Sequence, residues 1–324
     1  MKFFFKVLLI IFIAVISFNP TENIASEKIY KIAFAYFGPD PGSDLVMEGY
    51  LEGLKEQGFI EGKNLKVDKF HASGEISNIS QMMQTVNYRQ YDILIPMSTP
   101  CLSGALASIK KTKIVFAYTY DPIAAGAGKS FDDHLPNLTG VGSFPPLEDT
   151  FDLIQKILPN VKRIGIIYNA SEANSVKVVE VGGKSLKKRG ITLVETTVTN
   201  TNEILQAAQS LVLKDVQAVW ISGDNTIIQG LEGVIKPVNK AKIPLFMNDI
   251  EFLERGAFAA IGISWKNTGI AASKLAARVL KGEDPKNIPI ENVAVKRIVL
   301  NGKVAKQLNI SLSSEVLKDV EIIK

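Results

Sequence analysis

The amino-acid sequence predicts an α/β protein with two doubly wound parallel-sheet lobes joined by three hinge crossovers. Short β-branched runs alternate with longer amphipathic segments along most of the chain, and this alternation starts again near residue 163. Strands separated by helices form parallel sheets with helices on both faces. Because residues 30–71 and 163–197 both read strand, helix and strand, two similar lobes are the simplest explanation.

The individual elements follow from the periodicity of the apolar residues. The predicted strands cover residues 30–36, 65–70, 93–97, 114–118, 163–168, 192–197, 218–222, 245–247 and 257–263. The predicted helices cover residues 45–57, 175–189, 201–213, 227–241 and 268–281. Gly58 and Gly190 follow two helix ends, where the left-handed conformation costs glycine little.

Three segments are expected to carry the chain between the lobes. The glycines and prolines of residues 138–146, "LTGVGSFPP", suit a hinge, a second crossover is predicted near residues 262–269, and "GEDPKNIPIEN" returns the chain. The N-terminal lobe would then contain residues 29–142 and about 266–290. The C-terminal lobe would contain residues 143–265 and about 291–324.

Residues 1–25 have the features of a signal peptide. Lys2 and Lys6 precede an apolar run that is short for a membrane span, and a polar stretch leads to a small residue, Ala25. The alternative is an uncleaved anchor, because Asn23 stands where a small residue is preferred. Cys101 is the only cysteine, so neither an intrachain disulfide nor a lipoprotein anchor is expected. The sequence therefore predicts a monomeric protein of the bacterial periplasm.

Polar residues follow five predicted strands, on the edge where ligands bind parallel sheets. They are Ser98, Thr99, Asp121, Asn169, Ser171, Glu172, Asn174, Asp224, Asn225, Thr226 and Asp249. Each can be read as a helix cap worth about 1 kcal/mol. However, "NASEANS" and "GDNT" hold more polar groups than one cap uses. Helix N-termini bind anions, and the acids could face an ammonium, so the edge suits a zwitterion such as an amino acid.

The aromatic residue Trp265 lies in the second predicted crossover, "ISWKN", beside the expected cleft. It is either part of the core or a surface on which a flat ligand stacks.

An enzyme is not expected from this sequence. His71 and His134 have no metal-binding partner at a suitable spacing, and Cys101 is more typical of a buried filler than of a nucleophile. Nucleophile-elbow and phosphate-loop motifs are absent, so neither a cofactor nor a metal is predicted. The formal net charge of +4 is spread among nearly as many acids, which argues against a nucleic-acid partner.

The chain resembles the periplasmic substrate-binding proteins of ABC transporters of the tryptophan/tyrosine type. The resemblance covers nearly all of the chain after the leader and is carried by "GYLEGLKEQGFIEGKNL", "STP", "VFAYTYDPIAAGAG", "NLTGVGSF", "LPNVKRIGIIYNASEANS", "GDNTII", "AKIPLFMND", "RGAFAAIGISWKNTG" and "VLKGEDPKNIPIE". It implies the type I periplasmic-binding-protein fold, with a ligand in the interlobe cleft on "STP", "TYDP", "NASEANS", "GDNT" and Asp249. The residues Trp265-Lys266 and Ile123-Ala124 depart from the common pattern of the family.

The resemblance also implies a mechanism. The open lobes bind a small solute, close on it by hinge motion and present it to an ABC permease in the membrane. Some members bind aromatic amino acids. The alternative with the same fold is a periplasmic sensor that reports ligand occupancy to a membrane receptor.

Overall fold

The computed structural model describes residues 28–293, 296–318 and 320–323. The predicted signal peptide, residues 1–25, lies outside this part of the chain. Within the described ranges, a search for a helix with the length and apolarity of a bilayer span finds none.

The described residues form two sheets with helices on both faces. In chain order the strands are β1 (Tyr30–Tyr36), β2 (Leu65–His71), β3 (Ile93–Met97), β4 (Lys113–Thr119), β5 (Leu138–Gly142), β6 (Arg163–Asn169), β7 (Thr192–Val198), β8 (Ala218–Ile221), β9 (Leu245–Met247), β10 (Ala259–Ile263), β11 (Glu291–Asn292), β12 (Lys296–Asn301) and β13 (Glu321–Ile323). The helices are α1 (Pro41–Glu56), α2 (Ile79–Arg89), α3 (Thr99–Ser108), α4 (Leu147–Ile157), α5 (Ala173–Lys188), α6 (Ile204–Val212), α7 (Asn225–Gln229), α8 (Glu232–Lys240), α9 (Trp265–Leu280), α10 (Gly302–Leu308) and α11 (Ser314–Lys318).

The first sheet has the order β11-β5-β4-β3-β1-β2, and all of its pairs are parallel. The second has the order β13-β12-β10-β9-β8-β6-β7, in which only the pair β10 and β12 is antiparallel. We call the first sheet with α1, α2, α3 and α9 the N-terminal lobe, and the rest the C-terminal lobe. The predicted α/β fold class with two mainly parallel sheets is confirmed.

The chain passes between the sheets three times: after β5, between β10 and α9, and after β11. The predicted hinge over residues 138–146 is wrong in its first half, because Leu138–Gly142 is the buried strand β5. Gly140 lets β5 lie close to β4, since a Cβ there would stand 2.5 Å from Phe116 atoms. Gly140 therefore serves close packing of two strands.

Two other expectations differ from the structure. The helix predicted over residues 227–241 is divided into α7 and α8 at Gly230, which packs so closely on Ile204 that a Cβ would lie 2.6 Å from Ile204 Cδ1. The sequence pattern does not predict the strands β12 and β13, because both are short runs beside charged residues; β12 buries only its last three residues and β13 buries none.

Helix α9 is held tightly against α1 directly after the second crossing. A Cβ at Gly49 would lie 2.1 Å from the Lys266 carbonyl oxygen, and one at Gly269 would lie 2.1 Å from that of Val46. Such close backbone approach tolerates only glycine. It fixes the N-terminus of α9, and with it Trp265, beside the interlobe cleft.

Candidate functional site

A narrow cavity lies between the two lobes, at the carboxyl ends of strands from both sheets. It is lined by Phe37, Asp40, Thr99, Tyr118, Tyr120, Asn174, Gly223, Asn225, Ile228, Gln229 and Asp249. About 400 Å³ of space between these residues is free of protein atoms, partly open to solvent, but only about 20 Å³ can hold the centre of a water molecule. That is room for one or two waters, so the lobes are nearly closed on each other.

Two strained backbone positions shape the wall of the N-terminal lobe. Tyr118, near the end of β4, has a φ of 54°, and the pairing of β4 with β5 shifts register between Phe116 and Thr119. Ser98, directly after β3, has a φ of 95°. Such conformations cost about 1–3 kcal/mol and cluster at binding sites. The Tyr118 hydroxyl is directed at Asp40 Oδ1, to which it donates a hydrogen bond of 3.0 Å.

The N-terminus of α3 offers the cavity a place for an anion. Ser98 caps this helix through a hydrogen bond of 3.4 Å from Cys101 N–H to its Oγ. The next residue, Thr99, is only 2% exposed, and its Oγ1 has no hydrogen-bond partner within the described residues. An unpaired buried hydroxyl is unfavourable until a ligand satisfies it. The positive end of the helix dipole adds to the attraction for a carboxylate.

The wall of the C-terminal lobe is built around the buried carboxylate of Glu172. Its Oε1 accepts hydrogen bonds from Thr226 N–H at 2.9 Å and Thr226 Oγ1 at 2.8 Å. Its Oε2 accepts from Asn225 N–H at 3.0 Å and Asn225 Nδ2 at 2.6 Å. Glu172 therefore caps α7 from another segment of the lobe, and its carboxylate is satisfied without a ligand.

Asp224 is the second buried carboxylate of this wall. Its Oδ1 accepts from Ile227 N–H at 2.8 Å, and its Oδ2 accepts from Asn169 N–H at 2.6 Å and Ser175 Oγ at 2.8 Å. Burial, together with the charge of the neighbouring Glu172, raises the pKa of Asp224 to about 8. Like Glu172, it holds the wall together.

Asn174 connects this wall to the cavity. Its Nδ2 donates to the Gly223 carbonyl oxygen at 2.9 Å, whereas its Oδ1 has no partner in the described part of the chain. The residue is 2% exposed and lies in the first turn of α5, across the cavity from Thr99. Two helix N-termini, one from each lobe, thus place unpaired polar atoms at the cavity.

Asp249 lies on the other side of Gly223 and bridges the lobes. Its Oδ2 accepts from Gly223 N–H at 3.1 Å, and the Tyr120 hydroxyl of the opposite lobe lies 3.3 Å from each of its oxygens. Burial raises the pKa of Asp249 to about 7, and Asp40 across the cleft also raises it. No cationic side chain in the described ranges contributes to this shift, so the carboxylate is suited to receive a cation.

Trp265 is buried behind the cavity. It is 1% exposed, packs edge-to-face on Tyr118 at a centroid distance of 4.5 Å and stacks on Tyr120 at 6.2 Å. It does not line the cavity, so it supports the two tyrosines that do. Its Nε1 has no hydrogen-bond partner within the described residues.

The predicted site residues take different positions in the structure. Thr99, Asn174, Asn225 and Asp249 line the cavity. Asn169, Glu172, Asp224 and Thr226 bond to one another behind it. Ser98 caps α3, Ser171 is exposed, and the Asp121 side chain accepts from Ala124 N–H in a turn away from the lining. Their roles toward a ligand stay predictions.

The prediction from strand ends missed several lining residues, namely Phe37, Asp40, Tyr118, Tyr120, Gly223, Ile228 and Gln229. Asp40 had a usable signal, since it follows β1 and begins α1. Gln229 had none, because it reaches the cavity from the end of α7. In the described part of the chain, no group of His, Cys, Asp and Glu residues is placed to hold a metal ion.

Comparisons with known proteins give a consistent result. A family model described as ABC transporter substrate binding protein matches residues 31–323. The chain is 28% identical over 304 residues to a tyrosine-binding protein of Clostridioides difficile, covering 94% of this chain and 88% of that protein.

Two solved structures are similar along most of their length. An ABC domain from Streptococcus pneumoniae in complex with L-Trp is 30% identical with a TM-score of 0.87, covering 91% of this chain and all of that one. A ligand-free, open substrate-binding protein with adhesive properties from Clostridium difficile is 26% identical with a TM-score of 0.68, covering 91% of this chain and 99% of that one.

Proposed function

Since the chain belongs to the family of ABC transporter substrate-binding proteins, we propose that it binds one amino acid between its lobes and presents it to a membrane permease. It has the type I periplasmic-binding-protein fold and is a solute-binding protein, not an enzyme. Proteins of this family act outside the cytoplasm. We place this one in the periplasm, exported by residues 1–25.

The hydrogen bonds around Gly223 are the main support for an amino-acid ligand. Its N–H donates to Asp249, and its carbonyl oxygen accepts from Asn174. Asp249 and Asn174 therefore flank a single residue, Gly223, and Thr99 lies across the cavity from them. This arrangement suits an α-ammonium that meets Asp249, with the unpaired Asn174 Oδ1 as a further acceptor, and an α-carboxylate that accepts from Thr99 Oγ1 at the α3 N-terminus.

Two relatives support this class of ligand. The tyrosine-binding protein and the L-Trp complex named above both bind an amino acid. The shape of this chain is also nearer to the L-Trp complex than to the open, ligand-free relative, with TM-scores of 0.87 and 0.68. We therefore take the present structure as a closed state.

The ligand-bound state must leave more room than this structure does. The cavity has room for one or two water molecules, which is too little for an amino acid. The lobes must stand slightly farther apart, or the side chains of Tyr118 and Tyr120 must turn. In either case, closing on the ligand excludes water and strengthens the hydrogen bonds made to it.

Isothermal titration of the ligand-free chain with the common amino acids tests the proposal. We expect saturable one-to-one binding by at least one of them, and a loss of about a hundredfold in affinity for Asp249→Asn, which removes the ammonium partner. Asp132→Asn is the matched control, since Asp132 is exposed and outside the cavity lining, and its loss should leave affinity unchanged. Absence of binding by every amino acid would reject the proposal.

A further inference from the structure

The cavity carries more negative charge than the head group of an amino acid needs. Among the described residues, its lining holds two carboxylates, Asp40 from the N-terminal lobe and Asp249 from the C-terminal lobe, and no lysine, arginine or histidine. The α-ammonium of an amino acid accounts for only one of them. Since Asp249 adjoins Gly223 and the helix N-termini that suit the α-carboxylate, Asp40 is the acid that remains.

Asp40 is held rigidly in place at the edge of the cavity. It is the N-cap of α1, and its Oδ1 accepts hydrogen bonds from Ser43 N–H at 2.9 Å and from the Tyr118 hydroxyl at 3.0 Å. Burial of the carboxyl raises its pKa, and no cationic group among the described residues offsets this effect. Asp40 is only partly exposed, so a ligand that supplies a positive charge to this carboxylate gains from meeting it.

The surfaces next to Asp40 suit an aliphatic chain. The lining of the interlobe cavity also includes Phe37, Tyr118 and Ile228. They offer apolar contact to a methylene stem, and the aromatic faces also attract a cation. The unpaired Thr99 Oγ1 and Asn174 Oδ1 show that polar groups of the cavity still await a partner.

We propose that Asp40 selects a basic amino acid, with its side-chain cation at Asp40 and its α-ammonium at Asp249. This inference rests on the proposed function and names the class of amino acid. A ligand such as lysine neutralises both carboxylates. A neutral amino acid leaves the Asp40 carboxylate without a cationic partner in the closed cleft. Asp40 must then take up a proton, or water must remain in the cleft to solvate it.

The test compares L-lysine with L-norleucine, which has the same stem without the ammonium, and with L-tryptophan, by isothermal titration of the full chain. We expect lysine to bind at least about tenfold more tightly than norleucine. In Asp40→Asn the two affinities should become equal within about threefold, because only the charge is lost. Asparagine is as good an N-cap as aspartate, so this variant should fold and melt like the wild type.

Asp44→Asn is the matched control. Asp44 lies in the first turn of the same helix but is exposed and outside the lining, so the preference for lysine should persist. Equal or tighter binding of norleucine or tryptophan by the wild type overturns the inference and leaves the proposed function intact. An unchanged lysine preference in Asp40→Asn also overturns it, whereas failure of every amino acid to bind rejects both proposals.

Discussion

The two walls of the cleft are built in different ways. In the C-terminal lobe, the carboxylates of Glu172 and Asp224 are saturated by hydrogen bonds from their own lobe. In the N-terminal lobe, the wall consists of aromatic rings and two strained backbone positions, Tyr118 and Ser98. The C-terminal wall therefore keeps its shape through its own hydrogen bonds while it offers Asp249 and Asn174 to the cavity, whereas the N-terminal wall depends on the packing of its aromatic rings.

This difference shows that a cluster of polar residues at strand ends can have either role. Most polar side chains of "NASEANS" and "GDNT" stabilise the lobe, and Asn174 and Asn225 are the ones that reach the cavity. Conversely, the aromatic wall supplies Asp40 and Tyr120 to the cavity. Substitution of the hydrogen-bonded residues behind the C-terminal wall should consequently reduce stability, whereas substitution of a lining residue on either wall should reduce affinity.

The largest effect is expected for Glu172→Ala in the C-terminal wall. The variant leaves four donors of Asn225 and Thr226 without their acceptor, so the free energy of unfolding should fall by about 3–5 kcal/mol. Urea denaturation measures this loss. Glu180→Ala is the control on α5, because that acid pairs only with exposed lysines and should not change the urea midpoint. Equal midpoints for both variants would contradict the stabilising role of this wall.

A pH dependence of stability should come from the same wall. The pKa of Asp224 is raised to about 8 by burial, so between its unfolded value and about 8 the folded chain holds a proton that the unfolded chain has released. The free energy of unfolding should therefore fall as pH rises from about 5 to about 8, by on the order of 2–4 kcal/mol. Asp224→Asn should flatten this slope in urea titrations of the ligand-free chain. An identical slope in the variant would show that Asp224 titrates normally.

Gly223→Ala should affect the contact between the two walls. A Cβ at Gly223 would lie 2.1 Å from Tyr120 Cε2, so the lobes cannot close fully, and amino-acid affinity should fall about tenfold to a hundredfold. Gly190→Ala is the matched control. It has a similar positive φ, of 69° compared with 48°, but no atom within 4 Å of the added Cβ. Titration calorimetry and small-angle scattering should show weaker binding and a more open shape for Gly223→Ala alone.

The smallest effect is expected for Tyr118→Phe in the N-terminal wall. The change removes the hydroxyl that donates to Asp40 and keeps the ring against Trp265. Loss of one hydrogen bond to a charged acceptor should weaken lysine binding about fivefold to tenfold, with little change in melting temperature. Tyr88→Phe, at a side chain that is 90% exposed, should change neither. A lower melting temperature without a lower affinity for lysine would show that Tyr118 stabilises the fold and does not act on the ligand.

The fold was predictable from the sequence because strand and helix periodicity are local properties. The strands β1, β3 and β9 begin and end where the pattern predicts them. The site was predictable only in part. The rule that ligands bind at strand ends led to Thr99 and Asn174, but it could not reveal that Glu172 faces α7, since that contact joins segments about fifty residues apart. Nor does the sequence signal the left-handed conformation of Tyr118, which only the register shift between β4 and β5 explains.

The buried position of Cys101 has a practical consequence. It is the only cysteine in the sequence, it lies within α3 with no exposed surface, and burial raises the pKa of its thiol to about 12. A thiol that stays protonated and inaccessible does not react with maleimide dyes. One cysteine introduced at an exposed position near the cleft could therefore be labelled alone, which would turn the natural chain into a fluorescent biosensor for its own ligand.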